Sequence, residues 1–179
     1  MTHSLLSRFA ALFLFALFAL WATSSSAHDG SVNITGSIVD KTCAVSADSK
    51  SLLVTFGDVS RKTFARAGDA SRYEPFAINL EKCGAGASNV TVTFTGNADS
   101  RDPALLALTV VAGGATGVAI AIYDSEKEQI PLGQPGGGSD LAPNQASVTL
   151  NFYARYLANG GTVASGPANS SATFMLNYA

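Results

Sequence analysis

Apolar and polar positions alternate along most of the chain with a period of two. Val32, Ile34, Gly36 and Ile38 alternate with Asn33, Thr35 and Ser37. The same rhythm runs through LLVTF (52–56), FAINL (76–80), VTVTF (90–94), GVAIAIY (117–123), SVTLNFY (147–153) and ATFMLNY (172–178). Side chains on an extended strand point to opposite faces in turn, so each run predicts a strand with one buried face. Residues 103–111 fit either a short helical turn or a strand. Clusters rich in Gly, Ser, Asn, Asp and Pro at 84–88, 96–102, 112–116, 133–140 and 159–167 predict turns. Short strands with this punctuation predict an all-β sandwich or barrel, with an immunoglobulin-like sandwich the first choice. The tryptophan usual in antibody domains is absent: the one tryptophan is Trp21.

The N-terminus breaks the pattern. After Arg8, residues 9–22 are apolar, and small residues follow through Ala27. This predicts a secretory signal peptide over 1–27, cleaved after Ala27. The run is about 14 residues, short of the roughly 20 of a spanning helix, although a membrane anchor is the competing reading. About 152 residues then remain, enough for one well-cored domain. Two cysteines in an exported chain, Cys43 and Cys83, are expected to pair in an oxidising compartment, with two buried free thiols the alternative. Closing a loop of about 40 residues constrains the unfolded chain by about 4 kcal/mol in the entropy model.

Candidate chemistry is sparse. Eleven Lys and Arg against 13 Asp and Glu give a net charge of −2, and no basic face points to nucleic acid. The two histidines are His3, in the signal, and His28, at the new N-terminus. Neither is placed to orient a nucleophile or bind a metal, so a Ser-His-Asp arrangement is not expected. Asp124, Glu126 and Glu128 sit close enough to face a sugar or a calcium ion, but DSEKEQ reads better as a charged, solvated turn. PGGG at 135–138 lacks the lysine and following helix of a phosphate loop and reads as a flexible turn. The Asn-x-Ser/Thr patterns at Asn33, Asn89 and Asn169 carry little weight at this length. We expect no enzyme, no metal, no cofactor and no small-molecule substrate.

The two ends are unusual. The first alternating run begins within about five residues of the expected cleavage site, and the last, ending on Tyr178 and Ala179, leaves nothing to turn back beside it. If the first segment does not cover its own domain, an apolar groove stays open for the segment of another copy. Gly36 would then let two backbones approach closely; otherwise it is a bulge or weak spot in an ordinary strand.

In order along the chain, VNITGSIVDKTCAV before the first cysteine, VTFGDV (54–59), PFAINLEKC up to the second, VTFTGNADS (92–100), LNFYARY (150–156) and the penultimate Tyr178 resemble the chaperone–usher pilin family, in particular the minor subunits of type 1 fimbriae. The resemblance implies an incomplete immunoglobulin-like sandwich lacking its final strand. In that family a periplasmic chaperone fills the gap first, and then the N-terminal extension of the next subunit, an established case of strand addition. It implies a donor-strand extension over 28–41, with Val32, Ile34 and Ile38 filling pockets and Gly36 at the narrow site, and a pilin domain over 42–179. Phe174, Leu176 and Tyr178 would border the groove, and Tyr178 with the Ala179 carboxylate would help dock the chaperone. A buried ring ending an alternating strand is the simpler account of Tyr178. Cys43 and Cys83 match the family disulfide.

The implied function is that of a structural subunit of a bacterial surface fimbria, with neighbouring pilins, a periplasmic chaperone and an outer-membrane usher as partners. The 15 residues between Ala27 and Cys43, with the NADS and NFYAR stretches, resemble tip adaptors; a major rod subunit is the runner-up. A self-complete secreted module binding through its loops is the competing class. The Gly-, Ala-, Ser- and Asn-rich loops argue against it, and a secreted enzyme comes third.

Overall fold

The computed structural model describes residues 34–36 and 42–179. The chain divides into two units, Met1–Ser37 and Ile38–Ala179. In the first, Ile34, Thr35 and Gly36 are exposed and carry no ladder, Ile34 being 92% exposed. A lone alternating segment forms no strand without a neighbour to pair with. The expected signal peptide, and Val32 and Ile38 of the expected extension, lie outside the described residues.

The second unit carries eight strands among the described residues: β1 (Ala44–Val45), β2 (Glu74–Glu81), β3 (Asn89–Gly96), β4 (Val118–Tyr123), β5 (Gln129–Ile130), β6 (Pro135–Asp140), β7 (Ser147–Ala158) and β8 (Ala172–Tyr178). They form two sheets, one in the order β1-β2-β7-β4-β5 and one in the order β6-β3-β8. Every ladder between them is antiparallel. β7 is the spine of the larger sheet, pairing β2 from Ser147 to Ala154 and β4 from Tyr153 to Ala158. Five of the seven predicted runs thus lie in β2, β3, β4, β7 and β8.

The core lies between the sheets. Ile78, Leu80, Val90, Val92, Leu150 and Phe152 are buried there. Phe152 stacks on Phe76 with centroids 5.4 Å apart and meets Phe94 edge-on at 5.2 Å. Such pairs add about 0.5–1.5 kcal/mol each beyond area burial. β4 is buried on both faces. Ala119, Ala121 and Tyr123 pack outward against Leu105, Tyr73 and Tyr153, under an Arg155 guanidinium lying 4.3 Å from the Tyr73 ring centre. Cys43 and Cys83 are bonded at 2.06 Å, joining the chain just before β1 to the chain just after β2.

Three expectations change. Residues 52–56 make no ladder. Residues 103–111 form neither a helix nor a strand: a turn leads to Leu106, which bridges both Ala98 and Ile120. PGGG is no flexible turn but most of β6, paired with β3 across a register shift between Val90 and Val92. Glycine is what lets β6 lie there. Gly137 holds φ at +53°, and a Cβ on Gly138 would stand 2.5 Å from the Val90 carbonyl oxygen.

Gly138→Ala is therefore expected to cost about 1–3 kcal/mol, because the clash is with backbone on one side and Thr91 on the other. Urea unfolding of the oxidised protein measures it; an unchanged midpoint would mean that β6 does not lie this close to β3.

Candidate functional site: an open groove beside the last strand

β8 hydrogen-bonds to β3 along one side, from Val90↔Tyr178 to Gly96↔Ala172, and to no other strand among the described residues. Its alternation sends Phe174, Leu176 and Tyr178 inward and Thr173, Met175 and Asn177 outward. On β3 the inward residues Val90, Val92 and Phe94 are 0%, 0% and 4% exposed. Their counterparts on β8 are only half-buried, although they face the same core. The difference marks a cover missing from one side of β8.

Beside that edge lies a groove of about 1300 Å³. Phe76, Phe94, Leu106, Ile120, Ala154 and Tyr156 form its floor, residues 51–59 one lip, and residues 163–174 the other. The first lip alternates as a strand does, with Val54 and Phe56 half-buried and Leu53 89% exposed. It has the side-chain pattern of a strand without the ladder, since its groove side faces empty space rather than backbone.

Tyr156 ties the floor to both lips. Its ring centre lies 4.4 Å from that of Phe56, and its hydroxyl donates to the Ala168 carbonyl at 2.7 Å. Burial raises the Tyr156 pKa above the ordinary 10.0. At the far end of β8 the Tyr178 hydroxyl donates to the Cys43 carbonyl at 3.3 Å, which links the last strand to the disulfide. The Ala179 carbonyl oxygen accepts from the Ser88 hydroxyl at 2.7 Å and the Ser88 N–H at 2.9 Å.

The structure thus brings Phe174, Leu176, Tyr178 and Ala179 to one edge, where Phe174 lines the groove while Leu176 and Tyr178 pack on the core beyond it, and bonds Cys43 to Cys83. A Cβ at Gly36 would meet open space, so no close approach is made there. The Asp124 carboxylate accepts the N–H groups of Glu126 and Glu128, both at 2.9 Å, and so organises the charged turn itself. Sequence reading missed the first lip as a site, and Tyr156 with it. The signal was present: the alternation of 147–153 continues inward through Ala154, Tyr156 and Ala158.

The groove can take an extended, apolar peptide. Side chains spaced two apart would reach the floor, while its backbone would satisfy the unpaired edge of β8.

A family model described as fimbrial protein matches residues 32–179. Fimbrial-like protein YcbV of Escherichia coli K12 is 41% identical over 165 residues, covering 92% of this chain and 95% of that one. A probable major fimbrial subunit, LpfA of Escherichia coli O157:H7, is 36% identical over 92% of this chain and 95% of that one. Among solved structures, an antigen and type I fimbria protein of Burkholderia pseudomallei superposes with a TM-score of 0.59 at 35% identity, covering 78% of this chain and 90% of that one.

Tyr156→Phe is expected to cost about 1 kcal/mol at pH 8, from the hydrogen bond to Ala168. In the wild type the unfolded chain ionises this tyrosine near its ordinary 10.0 while the folded chain resists. Stability should therefore be unaffected below that pH and fall as pH rises above it. The variant lacks this component, so the gap between the two should narrow between pH 8 and 11 in denaturant titrations. A gap constant with pH would contradict the burial account.

Proposed function

The chain belongs to the fimbrial protein family, as an immunoglobulin-like sandwich lacking one strand and a structural subunit of a surface fimbria, and we propose that it assembles by donor-strand exchange. The carrying observation is the apolar groove beside the one-sided β8. In this reading residues 1–27 are the export signal, 28–41 the donor segment and 42–179 the receiving domain. Val32, Ile34 and Ile38 from another subunit fill the groove, with Gly36 where the backbones come closest. A periplasmic chaperone holds the edge until an outer-membrane usher passes the subunit on, with Tyr178 and Ala179 at its docking end.

The energetics support a long-lived joint. Three buried aliphatic side chains at about 1.5–3 kcal/mol each and some ten backbone hydrogen bonds at about 1 kcal/mol net each rival the roughly 5–15 kcal/mol stability of a whole domain. Ordering the segment offsets a large part of that sum. A subunit with an empty groove is therefore marginal, and one inside a fibre is hard to unfold.

Denaturant unfolding of residues 42–179 with a linked C-terminal copy of 29–41 should show a gain of several kcal/mol over the unlinked form. The gain should vanish when Val32, Ile34 and Ile38 of the copy are Ser. A domain that is equally stable and monomeric without the copy would instead be a self-complete module.

Two places in the fibre have support. The short segment between Ala27 and Cys43, with NADS and NFYAR, favours a tip adaptor; similarity to a probable major subunit favours the rod. Immunogold labelling of intact fimbriae separates them. One label per fibre end is the adaptor outcome, and labelling along the whole length is the rod outcome.

A further inference from the structure

Three charged side chains line the groove, on or next to its first lip: Lys50, Asp58 and Arg61. Lys50 and Arg61 are exposed, and neither makes an ion pair among the described residues. Lys50 closes the turn Asp48–Lys50, whose Ser49 hydroxyl accepts the Asn79 N–H at 2.9 Å. It therefore sits level with Asn79 and its ladder partner Thr149. Arg61 opens the turn Arg61–Thr63, and its carbonyl accepts the N–H of Phe64, which packs against the cluster holding Tyr156. Thr149 and Tyr156 are seven positions apart on β7, roughly 23 Å. The two cations thus stand toward opposite ends of the groove, and their long stems can widen that span outward.

The donor segment has a matching pattern. Asp29 and Asp40 flank its apolar positions and are separated by 11 residues, as are Lys50 and Arg61. Eleven extended residues cover roughly 36 Å, within reach of the basic pair once both stems are counted. Direction follows from topology. A strand returning from Tyr178 by a hairpin would run antiparallel to β8, as every ladder here does. β8 ends beside Cys43 and the first lip starts near that end, so such a strand runs in the same direction as the lip. Asp29 then meets Lys50 and Asp40 meets Arg61. The same register sets Ser37 opposite Asp58, where its hydroxyl can donate to the carboxylate.

We propose that Lys50 and Arg61 clamp the two ends of the strand donated by a second copy of this chain, through Asp29 and Asp40, and so fix its register. This rests on the strand insertion argued above. Exposed ion pairs hold weakly, so the clamp acts on rate and register more than on final affinity.

The test follows insertion of labelled peptides 29–41 into the oxidised mature chain, residues 28–179. Neutralising both ends (Asp29→Asn with Asp40→Asn) should slow insertion roughly five-fold at low salt. The difference should disappear near 1 M salt, where screening reaches about 3 Å. An isomer of unchanged charge but altered spacing (Asp29→Ser with Ser31→Asp) should behave like the neutral peptide. A chain carrying Lys50→Glu and Arg61→Glu should prefer a peptide with Asp29→Lys and Asp40→Lys. If all charge variants insert at one rate, or the respaced isomer matches the wild type, the clamp is overturned while strand exchange stands. If no peptide inserts, including the wild type at high salt, strand exchange fails and the clamp with it.

Discussion

The constraint on which this molecule turns is that a strand's backbone must be hydrogen-bonded on both sides or lie open to water. β8 meets it on one side only, through β3. Its inward side chains stay half-buried and its groove stays open for the same reason: the strand that would pair it would also roof the floor formed by Phe76, Phe94 and Tyr156. Backbone and side-chain requirements point to a single remedy, an extended apolar segment lying between β8 and residues 51–59. Neither requirement alone is so specific. An exposed edge accepts any strand, and an apolar groove accepts many shapes, but the two together select an alternating peptide of about the groove's length.

A sandwich open on one side needs rigidity from elsewhere. The Phe76, Phe94 and Phe152 cluster joins both sheets close to the open floor, where a looser aliphatic core would collapse into the gap. The disulfide fixes the chain at the start of β1 to the chain leaving β2, and the Tyr178 hydroxyl carries that anchor across to β8. Tyr156 holds the other end through Phe56 and Ala168. The groove is thus braced at both ends while its length remains free, which suits the strand insertion proposed above.

How much of this was legible depended on how the local pattern was satisfied. β2, β3, β4, β7 and β8 were readable because alternation over five or more residues has one cause, a strand with at least one buried face. β1 and β5 are two-residue ladders, too short for any period to show. β6 was hidden because glycine usually breaks strands; here the absence of side chains is what lets it approach Val90 and Phe152. Residues 52–56 carried a true strand pattern without a ladder, because pattern records which face is buried and a ladder requires a neighbour. The edge at Phe174, Leu176 and Tyr178 could be named from resemblance, whereas the floor is built from five separate stretches that come together only in three dimensions.

That last mismatch also bears on how assembly can be ordered. A lip whose Val54 and Phe56 already pack on the floor loses little further entropy when a strand arrives beside it. On the opposite side β8 is already held in register by seven consecutive pairings with β3. In the proposed exchange most of the ordering cost of the joint would therefore fall on the incoming segment; Ile34, Thr35 and Gly36 are exposed here. In that reading the receiving surface is the pre-organised partner, and discrimination between donors would rest on side-chain fit along the floor and on charge at its ends. Pre-organisation on one side lowers the cost of binding without adding a contact. A joint of that kind can form slowly and still be hard to reverse, because leaving requires the donor to surrender its ladder and its apolar contacts together.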